Sequence, residues 1–122
     1  MHSPHLYDPA LLPALFRYPA GLLALVRSPA RLWLAPWTLI DARSEVGRLA
    51  WLLRCDAGRN LVPFASVIDA RRDIACFDGN DASGDPAVEM LCTPAERPTH
   101  AFESFDAWHA AALRDAARWP RP

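Results

Sequence analysis

The stretch Asp78-Gly79-Asn80-Asp81-Ala82-Ser83-Gly84-Asp85, followed by Glu89, concentrates oxygen ligands of the kind that hold a hard cation. Read as a calcium loop, Asp78, Asn80 and Glu89 fall at positions 1, 3 and 12 of an EF-hand. Position 5 is Ala82, however, and position 6, where that loop needs glycine to turn sharply, is Ser83. The flanking residues also read as strands and not as helices. A β-hairpin turn, in which asparagine, aspartate and glycine supply the unusual backbone angles, accounts for the same residues better.

Other chemistries find less support. His2 and His5 lie in an irregular N-terminal arm, and His100 and His109 stand at or on a C-terminal helix, so no spacing matches a zinc site or a catalytic triad. His109, beside Trp108 on an alanine-rich turn, reads as a boundary residue. The sequence holds no G-x-S-x-G, G-x-G-x-x-G, Walker loop or H-E-x-x-H. Cys55, Cys76 and Cys92 form no CxxC pair and each lies in or beside an apolar run, which suits three core thiols in a reducing cytosol. The reading is therefore non-enzymatic, with no cofactor and no metal.

Charge is distributed unevenly. The chain has 122 residues and a net charge of −1, which disfavours nucleic-acid binding through bulk positive charge. All 13 basic residues are arginine. Residues 1–61 carry 7 arginines against 4 carboxylates, and residues 62–122 carry 6 against 10. The segment 69–89 alone holds 6 carboxylates and 2 arginines. That is either an ordinary solvated face or a surface that steers a basic partner, because clustered like charge raises association rates.

The elements that position these residues follow from periodicity. Residues 1–17 form an irregular arm, and the core spans about 18–119 of a single domain. Pro19 to Arg27 reads as a short helix with Leu22, Leu23 and Val26 buried. Ser28-Pro29 opens a single turn to Leu34, and Trp37 to Ile40 is a short extended run. Asp41 is the expected N-cap of a helix over 42–54, with Val46, Leu49, Ala50 and Leu53 as its buried stripe. Leu61–Ile68, Ile74–Phe77 and Pro86–Cys92 read as neighbouring antiparallel strands, the first carrying Pro63 at an edge or a bulge. Thr93–Thr99 is a loop, and Ser104 caps a last helix over 105–118 whose stripe is Phe105, Trp108, Ala112, Ala116 and Trp119. Trp37, Trp51, Trp108 and Trp119 read as core or boundary anchors, whereas Trp33, between Leu32 and Leu34, is a candidate exposed anchor. The sum is an α+β domain: a small antiparallel or mixed sheet packed against N-terminal and C-terminal helices.

Compartment follows from similar reasoning. The first ten residues carry Asp8 and no arginine or lysine, unlike a signal-peptide n-region. Leu11–Val26, the most apolar stretch, is interrupted by Pro13, Arg17 and Pro19 and falls short of the roughly 20 residues a membrane span takes. A cytoplasmic protein without membrane contact is expected.

An ordered set of motifs resembles the SUKH superfamily of Smi/Knr-like domains. Leu61-Val62-Pro63-Phe64-Ala65 is similar to that family's "l-i-P-F-A" strand, and Ile74-Ala75-Cys76-Phe77-Asp78 to its next strand, ending in "C-F-D". Pro86-Ala87-Val88 resembles its "p-x-V", and Phe102-Glu103-Ser104-Phe105-Asp106-Ala107-Trp108 its closing "F-x-S-F-x-x-W/F". Upstream, Tyr18-Pro19-Ala20-Gly21-Leu22-Leu23 and Pro36-Trp37 are similar to segments of short bacterial members. Where an Asn-Gly pair usually follows the first helix, this chain has Arg27-Ser28-Pro29. The resemblance covers about residues 18–112 and implies an α+β fold without a catalytic centre.

It also implies an immunity protein that binds and neutralises a cognate polymorphic or contact-dependent toxin, or alternatively an intracellular scaffold. Under the first reading the acidic turns would meet the toxin. If that toxin is a basic nuclease, Asp69, Asp73, Asp78, Asp81 and Asp85 would mimic phosphates, with Trp33 as a further contact. Oligomeric state is not set by the sequence.

Overall fold

The computed structural model describes residues 5–27, 37–56, 60–67, 74–91 and 101–118. Among them the short apolar runs pair into one sheet of β1 (Trp37–Leu39), β2 (Leu61–Val67), β3 (Ile74–Asp78), β4 (Val88–Leu91) and β5 (Ala101–Phe102). The spatial order is β1-β2-β3-β4-β5, and every neighbouring pair is antiparallel. The domain is thus of the α+β class. Three helices accompany the sheet among the described residues: α1 (Ala20–Val26), α2 (Glu45–Asp56) and α3 (Phe105–Arg118).

Alternation along the strands divides the core in two. Ala75 and Phe77 of β3 face the same side as Val62, Phe64, Val88 and Met90, where they meet Leu22 and Leu25 of α1 and Phe105, Trp108 and Ala112 of α3. Ile74 and Cys76 face the other side and join Leu61, Ile40 and Ala50 of α2 in a smaller cluster. Pro63 sits in the interior strand β2, where its missing N–H would break a regular ladder. A register shift between Pro63 and Ala65 resolves the conflict, so the proline marks a bulge and not an edge.

The larger cluster is aromatic. Phe64 and Phe77 stack with ring centroids 4.2 Å apart, and Trp108 meets Phe64 edge-on at 4.8 Å. Phe105 and Trp37 close the cluster against Phe64 and Trp108 respectively. Each such pair adds about 0.5–1.5 kcal/mol beyond the area it buries. Ser104 caps α3 by accepting the Ala107 N–H, and Phe105, Trp108, Ala112 and Ala116 form its buried stripe as their spacing predicts. Trp119 and the single turn expected over 28–34, with Trp33, lie outside the described residues.

The other helices depart from expectation. α1 buries Leu22 and Leu25, while Leu23 and Val26 are only half-buried. α2 begins at Glu45, not at residue 42. The Asp41 carboxylate accepts the Arg43 N–H in a local turn, and Ser44 takes over as the cap by accepting the Gly47 N–H at 3.0 Å. The buried described positions of α2 are Gly47, whose backbone lies close against Asp41 and Ala42, and Ala50, which packs with Leu61 of β2. Val46 and Leu49, expected inside, are 55% and 57% exposed, and Leu52 is 63% exposed. Ala50, of the same expected stripe, is buried, and the side chain of Leu53 lies outside the described residues. The spacing identifies an amphipathic helix, but the buried face is rotated toward the small residues Gly47 and Ala50.

The N-terminal arm belongs to the core as well. Tyr7 and Phe16 are buried, and Tyr7 lies against Trp51 with ring centroids 4.5 Å apart. The Tyr7 hydroxyl donates to the Gly47 carbonyl, and Ala42 N–H donates to the His5 carbonyl. A short 3-10 turn at Pro9–Leu11 is capped by Asp8. Among the described residues of the arm that 3-10 turn is followed by irregular backbone, and Tyr7 and Phe16 bring the arm into the core.

Candidate functional site

Two surfaces concentrate polar side chains, and the first is the loop between β3 and β4. Its carboxylates hold the loop in shape. Asp78 Oδ1 accepts the Asn80 N–H at 2.9 Å, Asp81 Oδ1 accepts the Ser83 N–H at 3.0 Å, and Asp81 Oδ2 accepts the Ala87 N–H at 3.2 Å. Asn60 ties the loop to the start of β2 through its amide to Asn80 Oδ1 and its carbonyl to the Gly79 N–H. Gly84 sits at φ +87°, a conformation side chains resist, which explains a glycine there.

Hydrogen bonds from Ser83, side chain and backbone, hold Asp81 below the usual carboxylate range, with Ala87 adding to the effect and slight desolvation opposing it. Asp81 and Asp78 are half-buried, while Asp85 is exposed. The structure therefore brings Asp78, Asp81 and Asp85 onto one loop, the first two engaged with backbone N–H groups. Asp69, Asp73 and Trp33 lie outside the described residues. Among the described residues, no group of three His, Cys, Asp or Glu side chains converges as a metal site would require.

The second surface is a groove of about 520 Å³ beside the start of α2. Leu6, Leu11 and Leu12 supply apolar walls, with Tyr18, Asp8 and Arg43 as the polar groups. The Tyr18 hydroxyl accepts the Tyr7 N–H at 3.2 Å, and burial pushes its pKa up to about 12 against the opposing effect of that bond. Next to the groove, His5 Nδ1 stands 3.1 Å from Asp41 Oδ1. The Arg43 N–H is the larger influence holding Asp41 below its ordinary range, with the His5 ring and charge contributing less. Sequence reasoning missed this groove because the arm that forms it carries no periodic signal.

The remaining described histidine, His109, stacks on Phe105, and burial lowers its pKa against the nearby Asp106 charge. His5 and His109 thus serve separate local contacts. Cys76 is a buried thiol whose Sγ lies 3.9 Å from the Ile74 carbonyl oxygen, and no described helix is long and apolar enough to cross a membrane. The fold and its surfaces define an α+β domain with a braced acidic loop and an apolar helix face. No family model matches the chain, and neither a curated protein nor a solved structure matches it.

Proposed function

We propose that the chain is a non-enzymatic, cytoplasmic protein-binding domain, and within that class an immunity protein that neutralises a cognate polymorphic or contact-dependent toxin. The observation that carries the binding reading is the row Val46, Leu49 and Leu52, three large aliphatic side chains more than half exposed on one face of α2. Apolar side chains clustered in this way mark surfaces that another protein covers. The step from binding domain to immunity protein rests on the ordered motifs around Phe64, Phe77, Val88 and Phe105 that resemble Smi/Knr-like domains.

The braced loop fits the same reading. Carboxylates already fixed by backbone N–H groups lose little freedom on association, so a basic partner meets an ordered surface. Neutralisation would proceed by covering the toxin's active site or an adjoining surface, with Asp85 steering approach and the α2 row anchoring contact.

The decisive experiment is co-expression with the C-terminal domain encoded by the neighbouring gene, scored as rescue from toxicity. Rescue lost in Leu49→Asp and retained in Leu113→Asp, an exposed leucine on α3, supports the reading. No rescue with any neighbouring product turns the assignment to an intracellular scaffold.

A further inference from the structure

We infer that the Asp85–Pro86 peptide bond is a self-cleavage site, at which mild acid converts the chain into two fragments that stay paired. An aspartate before proline carries its own nucleophile, because the side-chain carboxyl reaches the carbonyl of the same residue. Proline, as a tertiary amide, supplies a basic leaving nitrogen. The chain holds two such pairs, Asp8-Pro9 and Asp85-Pro86, and the fold treats them differently.

At the first pair both reacting groups are engaged. Asp8 Oδ1 accepts the Ala10 N–H at 2.8 Å, and the Asp8 carbonyl accepts the Leu11 N–H at 2.8 Å, so attack there means opening the 3-10 turn. At the second pair neither group is held. Asp85 is exposed, and among the described residues neither its carboxylate nor its carbonyl accepts a hydrogen bond. Its N–H alone is anchored, to Ser83 Oγ at 3.1 Å. Gly84 before it has φ +87°, and even a Cβ there would meet nothing within 4 Å, which leaves room for the carboxyl to turn and for water to enter.

The step balances. A carboxyl oxygen of Asp85 bonds to the Asp85 carbonyl carbon as the C–N bond to Pro86 breaks, and the leaving nitrogen keeps the electron pair and takes the carboxyl proton. Water then opens the cyclic anhydride, which restores the side chain and leaves a new C-terminal carboxylate. Acid is needed because the carboxyl must bring that proton. The charged side chains of this loop and of the strands it joins are all carboxylates, Asp78, Asp81, Asp85 and Glu89. β2 carries no charged residue, and the arm, which meets the loop where Pro13 borders Gly79, carries His5, Asp8 and Arg17, none of them paired with Asp85.

The far side of the bond is docked. Pro86 is fully buried, Asp81 Oδ2 holds the Ala87 N–H, and β4 pairs with both β3 and β5. The piece beginning at Pro86 also carries Val88, Phe105 and Trp108 of the core, so the cut leaves a two-chain protein.

The test is incubation of the full-length protein at about pH 4.5 and about pH 7, with and without denaturing urea, until the acid urea sample is cut at both bonds. Intact mass spectrometry follows the fragments. In folded protein at the lower pH, Asp85–Pro86 should break about tenfold or more faster than Asp8–Pro9, whereas in urea the two should break at similar rates. Asp85→Asn should abolish the cut with spectral dispersion preserved, and Asp8→Asn should leave it in place. The folded sample near pH 7 should stay whole, and equal cleavage there overturns the acid requirement. Equal cleavage of the two bonds in folded protein, faster cleavage at Asp8–Pro9, or an intact Asp85–Pro86 bond overturns the assignment. Fragments 1–85 and 86–122 should co-elute in native buffer, and their separation overturns the two-chain product. Each outcome is independent of whether the protein neutralises a toxin.

Discussion

The carboxylate of Asp81 reaches the backbone N–H of Ala87 across the β3–β4 loop at 3.2 Å, while its other oxygen holds the Ser83 N–H at 3.0 Å. One side chain thus fixes both the turn and its return into β4. Asp85, four residues on, is exposed.

That difference separates two substitutions. Asp81→Ala should lower unfolding free energy by about 1 kcal/mol, because it strips a charged acceptor from two N–H groups at an accessible site. Asp85→Lys should leave stability within about 0.5 kcal/mol, as surface changes usually do. Urea denaturation measures both. If Asp85→Lys also slows association with the toxin and flattens its salt dependence, the loop is the steering surface.

Acid should destabilise the fold in a defined window. Asp41 and Asp81 both have folded-state pKa values lowered from 3.8, chiefly by the Arg43 N–H and by Ser83 respectively. A group with a depressed folded pKa binds more protons when unfolded, so its stabilisation is present above about pH 4 and is lost as pH falls through the folded value. Denaturation midpoints at successive pH values should decline below about pH 4, and Asp41→Asn with Asp81→Asn together should flatten that decline.

Gly47→Ala should destabilise the protein although alanine is the better helix former by about 1 kcal/mol. A Cβ at that position would collide with the Asp41 carbonyl oxygen and come within 2.8 Å of the Ala42 Cα, backbone atoms with no room to yield cheaply. Overpacking of this kind costs about 1–3 kcal/mol. A raised thermal midpoint for the alanine variant would contradict the close approach of α2 to the turn before it.

Phe64→Ala should be among the most damaging single changes, at about 3–5 kcal/mol. Its ring touches Phe77, Phe105 and Trp108, from two other elements of the core. Loss of a cooperative transition or a large fall in denaturation midpoint is the expected result.

Much of the fold was legible because strong local patterns agreed with the tertiary outcome. Short β-branched and aromatic runs bounded by Asp, Asn and Gly gave β2, β3 and β4, and Ser104 with the Phe105–Trp108–Ala112–Ala116 spacing gave α3. What failed was direction and reach. In α2 Ala50 of the expected stripe is buried while Val46 and Leu49 point outward, because the helix turns its small residues, Gly47 and Ala50, to the interior. The arm around Tyr7 has no period to read, since its place is set by a hydrogen bond to Gly47 from far away in sequence. β5 spans only Ala101–Phe102, too short to leave a pattern. For the candidate site, the Asp78–Asp85 turn was visible as composition, but the groove depends on the Tyr7–Tyr18 hydrogen bond and on Arg43 lining the same space, which no spacing announces.

The aromatic stack also constrains how the chain can be made. Phe64 rests on Phe105 and Trp108, which a ribosome adds long after β2 has emerged. Until then the rings of Phe64 and Phe77 lack the helix that shields them from water. Nascent chains arrested before Trp108 should therefore stay protease-sensitive and bind chaperones, and protection should arise in one step once α3 is released.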